Sequence, residues 1–222
     1  MNEQSVLITG SGRGIGKELA LHFAGFAWKT VIHDRDEKEL FQVKDMILKL
    51  GKECLTVTGD LRETAMLEKL TEAAEGAGVS VLVNNAAIGL KEDLDKVADE
   101  QIDELIMTNL TAAIKLTKRI YAYFLKRGKG TIINMVSLSG LNAQEGRTVY
   151  CASKWGLRGF TETLRLEAEK NNIRVLGIYP SRVKTRPEFT YGLEVKEVVS
   201  KIYEAYLDPT VKELIMDGRP KQ

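Results

Sequence analysis

The chain has 222 residues, enough for one domain with a sizeable core, and its 44% hydrophobic and 28% charged content is that of an ordinary globular protein. A formal net charge of +1 supplies no electrostatic reason for a polyanionic partner, which argues against nucleic-acid binding. The N-terminus has no basic segment followed by a long apolar run, no apolar run is long enough to span a membrane, and Cys54 and Cys151 stand alone without metal-ligand spacing; the expectation is a cytoplasmic protein with no membrane partner and no metal.

Short runs rich in Val, Ile and Leu recur in chain order: SVLIT, KTVIH, ECLTVTG, VSVLVNN, GTIINMVS, IRVLGIY and KELIMDG. Most are apolar almost without interruption, as in strands buried on both faces. Helical patterns separate them. Ile15, Leu19, Phe23 and Phe26 recur three to four apart, and DELIMTNLTAAIKLTKRIYAYFLKRG closes with basic residues and Gly128, which are helix-stop signals. Strand then helix, repeated, predicts an α/β fold with a single doubly wound parallel sheet of about seven strands and helices on both faces, a Rossmann fold occupying residues 1–222. In such sheets ligands bind beyond the carboxyl ends of the strands, so the residues just after each run are the ones to read.

After the first run comes GSGRGIG and then a helix. Gly10, Gly14 and Gly16 permit a tight turn and close backbone approach, and the following helix N-terminus offers N–H groups to a phosphate. The spacing is neither G-x-G-x-x-G nor that of a phosphate loop of the G-x-x-x-x-G-K-[ST] type, which disfavours ATP chemistry. The second run ends at Asp34, where an acid meets adenosine ribose hydroxyls and repels a 2′-phosphate. Arg35 and Arg13 point the other way, because either guanidinium can pair with that phosphate. The position of the acid tips the reading to NAD over NADP. Asp60, after the third run, is placed either to accept from an adenine amino group or to cap the helix starting near Arg62.

The fifth run ends with Ser137 and Ser139, and VYCASKWG follows within about a dozen residues. Tyr150 and Lys154, four apart on a helix, share one face. Hydride transfer at a carbonyl carbon requires a proton to move on the oxygen, and a free tyrosine with a pKa of about 10 is a poor base at neutral pH. A lysine ammonium about 4 Å away would favour the phenolate by roughly 4 kcal/mol at an effective dielectric of 20, near three pKa units, bringing Tyr150 close to neutrality. Ser137 would hold the substrate oxygen. Ala152 and Ser153, between the pair, would keep the helix close to a cofactor.

The pieces TGSGRGIG, Asp60 in GDL, NNAA, Asn109 in MTNLTA, Ser137 in INMVSLSG, YCASK and YPSRVKT stand in one order, and by them the chain resembles the short-chain dehydrogenase/reductases from about Ser5 to Thr185. The resemblance implies a catalytic tetrad of Asn109, Ser137, Tyr150 and Lys154, with Asn109 holding a water that relays protons from Lys154 and Lys154 also binding the nicotinamide ribose. It implies cofactor contacts from Gly10, Ser11, Arg13, Gly14, Ile15 and Gly16, and from Asp34, Arg35, Asp60 and Leu61. It adds Asn84, Asn85, Ala86 and Ala87 near the ribose, and Pro180, Val183 and Thr185 at the carboxamide and phosphate end. Two residues depart from the family pattern: Ala87 and Ser181 stand where glycine is usual, and Ser181 brings a Cβ that could displace the nicotinamide end. The segment covering the substrate is short, about residues 186–193, which suggests an open site or one completed by another subunit. The expected activity is NAD(P)-dependent oxidoreduction of a small-molecule carbonyl or secondary alcohol; the alternative is a non-catalytic dinucleotide-binding sensor or scaffold. The resemblance also suggests a homodimer or homotetramer built on the helix around Asn109–Lys126 and the helix after Tyr150.

Overall fold

A computed structural model describes residues 4–26, 28–186 and 188–219. Seven strands, β1 (Ser5–Thr9), β2 (Lys29–Asp34), β3 (Cys54–Thr58), β4 (Val81–Asn84), β5 (Gly130–Met135), β6 (Ile173–Pro180) and β7 (Glu213–Met216), form one sheet in the order β3-β2-β1-β4-β5-β6-β7, parallel throughout. Seven α-helices connect them: α1 (Gly14–Gly25), α2 (Glu37–Lys49), α3 (Thr64–Gly76), α4 (Asp99–Ile106), α5 (Ala112–Arg127), α6 (Thr148–Ala168) and α7 (Val195–Leu207). The single doubly wound sheet is the expected architecture; residues 1–3 and 220–222 of the expected domain lie outside the described residues.

The strand alternation of period two divides the core. Val6 and Ile8 of β1 pack with Leu19 and Phe23 of α1, Leu40 of α2 and Val198 and Ile202 of α7. Leu7, between them, points to the opposite layer with Leu67 and Leu70 of α3, Leu116 and Ile120 of α5 and Leu164 of α6. Central strands therefore bury both faces, and their sequences carry no polar alternation. The two outermost strands differ from that expectation: Leu55 of β3 and Ile215 of β7 are exposed, because an edge strand is covered on one side only. Phe26 is also exposed; it follows the last turn of α1 and stacks on Tyr203, with ring centres 4.4 Å apart. Among the described residues no helix is long and apolar enough to cross a membrane.

The order of the sheet reverses between β1 and β4, since the chain runs outward through β2 and β3 on one side and through β5 to β7 on the other. The loops after β1 and β4 consequently part there, and the crevice between them is the natural ligand site of an open α/β sheet. One long helical stretch was expected across Asn109. The helix does run from α4 into α5, but Met107–Thr111 forms a π-helical turn, and Gly128 ends α5 in the left-handed conformation at φ 71°.

Candidate active site

The crevice is a cleft of about 260 Å³. Of the residues predicted to bind a dinucleotide, Gly10, Arg13, Gly14, Ile15, Asp34, Arg35, Asp60, Leu61, Asn85, Ala86, Ala87 and Thr185 line it. The turn after β1 is packed too tightly for side chains. A methyl group on Gly10, which lies at φ 67°, would come 2.8 Å from the Ala86 Cα, and one on Gly16 would come 2.0 Å from the Gly10 carbonyl oxygen. Gly16 thus lies beneath the turn and does not line the cleft. Ser11 is also turned away: its buried hydroxyl donates to the Ile8 carbonyl at 2.6 Å. No side chain caps the start of α1, and its first intrahelical bond runs from the Lys17 N–H to the Arg13 carbonyl, which leaves the N–H groups of the first turn for a ligand.

Asp34 meets the glycine turn directly. Its carboxylate accepts from the Gly12 N–H at 2.9 Å and from the Asp36 N–H at 3.2 Å. Arg35 turns to acids instead of standing free, lying 3.2 Å from Glu104 and 4.0 Å from Asp60. Asp60 is not a helix cap, because the cap position of α3 falls at Glu63. Its carboxylate accepts from the main-chain N–H and the guanidinium of Arg62, a hydrogen-bonded pairing that lowers its pKa. Asn84 does not flank the cleft; it is buried at the end of β4 and donates to Thr117 and Asn134 at 2.8 Å each. Asn85 ties the segment after β4 to the end of β1 and its turn, donating 2.9 Å bonds to the Thr9 and Gly10 carbonyls.

Four lining residues were missed by sequence reasoning: His33, Ile88, Thr108 and Arg186. Each neighbours a segment or residue that was singled out. His33 and Thr108 carry the sharper information, since His33 Nδ1 and Thr108 Oγ1 are buried with no hydrogen-bond partner among the described residues. The other ring nitrogen of His33 bonds to the Gly59 carbonyl at 3.0 Å, and burial lowers the pKa of the ring. The uncapped N–H groups at the start of α1 suit a ligand with phosphate groups.

The catalytic candidates stand at the β5 end of the sheet. Ser137 follows β5 with φ 110° and ψ 154°, a region that side chains rarely adopt. Gly140 ends the same turn against α6, where an added methyl would lie 2.9 Å from the Lys154 carbonyl oxygen. The geometry brings Ser137 to Tyr150, whose pKa its side chain lowers, while the serine hydroxyl oxygen accepts from the Ser139 N–H at 3.2 Å. Lys154 is buried; its ammonium donates to the Met135 carbonyl at 2.9 Å and lies over the Tyr150 ring, 5.8 Å from its centre. The lysine effect expected on Tyr150 is therefore corrected. Burial dominates and raises the pKa of the phenol, against smaller lowering by Ser137 and Arg147, and burial alone brings Lys154 down to about 8.

Asn109 sits in the π-helical turn with its amide committed. Oδ1 accepts from the Ile88 N–H at 2.8 Å, and Nδ2 donates to the Ile88 carbonyl at 2.9 Å and to Ser153 Oγ at 3.3 Å. The side chain thereby ties the loop after β4 to α6. Ser153 is buried at this contact, whereas Ala152 is exposed. Val183 and Pro180 are buried beside the cleft without lining it. Ser181 needs no glycine: it has no positive φ, and its hydroxyl accepts from the Gly218 N–H at 2.9 Å, so it fastens the chain leaving β7. The short cover folds back on the strand end through a Val183–Leu193 bridge and the packing of Arg182 against Phe189 and Tyr191; Pro187 within it lies outside the described residues.

Comparison with known proteins agrees with this arrangement. Residues 4–190 match the family described as short chain dehydrogenase. The chain is 30% identical over 230 residues to a sepiapterin reductase of Chlorobaculum tepidum, covering 95% of this chain and 94% of that protein. Among solved structures, the bulky-bulky ketone specific alcohol dehydrogenase of Comamonas testosteroni superposes with a TM-score of 0.90 at 26% identity, covering 97% of this chain and 86% of that one. A metagenomic short-chain oxidoreductase solved in complex with NADP gives 0.87 at 25% identity over 98% of both chains. From the glycine turn to the α6 pair, the chain belongs to the short-chain dehydrogenase/reductase family of NAD(P)-dependent oxidoreductases.

Proposed function

We propose that the chain binds a nicotinamide dinucleotide along the crevice between β1 and β4 and interconverts a small-molecule carbonyl and the corresponding secondary alcohol, with Tyr150 as the acid–base group. The observation that carries this reading is the convergence of Ser137, Tyr150 and Lys154 at the β5 end of the sheet. The bound nicotinamide supplies or accepts the hydride. The chain's own groups do the rest. Ser137 holds the substrate oxygen, and the Tyr150 phenol, kept protonated at neutral pH by its burial, donates a proton to a carbonyl oxygen as it gains charge. That protonation state suits reduction near neutrality, and oxidation improves as the pH rises towards the phenol's pKa. Lys154 sits over the ring and Asn109 secures the loop at Ile88, the supporting half of the tetrad.

The adenosine end would rest against Asp34, with Gly10, Ile15 and Ala86 in backbone contact and Thr185 towards the far end. The carboxylate of Asp34 favours ribose hydroxyls and supports NAD as the preferred cofactor, although the similar metagenomic oxidoreductase was solved with NADP. The free thiols of Cys54 and Cys151 suit a reducing cytoplasm. Tyr150→Phe should keep dinucleotide affinity within about twofold and lose at least about a thousandfold in kcat, since acid–base catalysis and the geometry it enforces are removed together. Wild-type-like turnover of a carbonyl by that variant, followed at the reduced-nicotinamide absorbance, would sink the assignment.

The same reading extends to assembly as a homodimer or homotetramer through the outer faces of α5 and α6. Leu125, Trp155 and Leu166 are exposed there, Leu166 at 72%, more apolar surface than these helices need for one buried face. Light scattering at micromolar concentration should give a mass of two or four chains; a monomer would contradict it.

A further inference from the structure

Beside the adenosine end of the cleft lies a feature that the proposed oxidoreductase chemistry does not use. Glu104, on α4, reaches across to two arginines from other parts of the chain: it lies 3.2 Å from Arg35, just after β2, and 3.4 Å from Arg62, just after β3. Asp60 completes the group, 2.6 Å from Arg62 and 4.0 Å from Arg35. Two guanidinium groups are thus shared by two carboxylates. Arg35 is the residue whose place after the second strand fits it to accept a ribose 2′-phosphate. Here its charge is already answered by Glu104.

We infer that Glu104 is a positioning residue for cofactor choice, which disfavours a 2′-phosphorylated dinucleotide by holding Arg35 and Arg62 in ion pairs at the rim of the adenosine site. The inference rests on the dinucleotide-binding reading above. Carboxylates outnumber arginines around this rim: Arg13, Arg35, Arg62 and Arg186 stand against Asp34, Asp60, Glu63, Glu100, Asp103 and Glu104. A phosphate carrying about −1.5 to −2 at neutral pH would meet no net positive field and would have to break the Arg35 pairing to be bound. NAD, with hydroxyls at that position, needs none of these guanidinium groups. Asp34 acts by direct repulsion, whereas Glu104 acts through the arginines, so the two effects are separable.

Removing only the charge of Glu104 takes one negative charge from the rim and releases Arg35. Titration of NADH and NADPH by the fluorescence of the reduced nicotinamide tests this on wild type, Glu104→Gln and Glu104→Gln/Arg35→Ala. In Glu104→Gln the NADPH dissociation constant should fall about tenfold relative to that of NADH, with NADH changed less than about twofold, and the gain should shrink as salt is raised. In the double variant the gain should vanish, which a purely structural effect on α4 would not produce. An unchanged NADPH-to-NADH ratio in Glu104→Gln, or a gain that persists without Arg35, would overturn the inference while leaving dinucleotide binding intact. Failure of the wild-type protein to bind either cofactor would overturn the dinucleotide reading, and this inference with it.

Discussion

Ser137 pairs a reactive hydroxyl with a backbone that only glycine adopts freely, at φ 110° and ψ 154°. Holding a side chain there costs on the order of 1–3 kcal/mol, and the surrounding contacts must impose it. They are visible: the Ser137 N–H donates to the Ile178 carbonyl at 3.2 Å, and the Ser137 carbonyl accepts from Gly140 at 2.9 Å. Strain of this kind holds the serine beside Tyr150, whose pKa its side chain lowers. Two substitutions separate strain from chemistry. Ser137→Ala and Ser137→Gly should both lose most turnover, because both lack the hydroxyl. In denaturant unfolding Ser137→Gly should be the more stable of the two by about 1 kcal/mol, the strain relieved less the extra freedom of glycine in the unfolded chain. A Ser137→Gly variant less stable than Ser137→Ala by about 0.5–1 kcal/mol would show that the backbone at this position is unstrained.

At the scale of elements, what was legible depended on whether a single local rule governed the segment. The apolar runs gave the strands within one or two residues because burial on both faces leaves a continuous hydrophobic signal. Gly128 marked the end of α5 because the left-handed stop has few other occupants. The π-helical turn at Met107–Thr111 was not legible: one extra residue in a long helix hardly disturbs the apolar spacing, and the Asn109–Ile88 contact made from it is tertiary. The same limit explains Arg35. Its position was readable, but its partner Glu104 comes from α4, 69 residues away in sequence, and carried no local sign of its reach. Asn84 was misplaced for a related reason: alternation along β4 sends adjacent asparagines to different environments, Asn84 into the polar contacts with Thr117 and Asn134 and Asn85 to the cleft floor.

For the whole molecule, the catalytic apparatus stands in tension with stability. Lys154 is buried within the packed helix–sheet layer and has one observed hydrogen bond, to the Met135 carbonyl. Burial lowers its pKa from an ordinary 10.5 to about 8, so at neutral pH the folded protein keeps a charge that the unfolded chain would solvate better. Between about 8 and 10.5 the unfolded state binds more protons than the folded one, and stability from this group therefore rises with pH. Its contribution is complete above about 10.5 and is lost as the pH falls through about 8. At roughly 1.4 kcal/mol per pKa unit the full effect is about 3 kcal/mol. Lys154→Met removes the charge and nearly preserves the volume, at the expense of one hydrogen bond worth about 1 kcal/mol. The variant should be inactive yet more stable than wild type by about 2 kcal/mol at pH 7, and that advantage should shrink by about 2 kcal/mol by pH 9.5. Comparing the two proteins by urea unfolding at both pH values cancels the tyrosines, whose own titration begins near the upper end. A Lys154→Met variant less stable than wild type at pH 7, or with an advantage independent of pH, would show that the buried ammonium is better solvated by its surroundings than a single carbonyl contact allows.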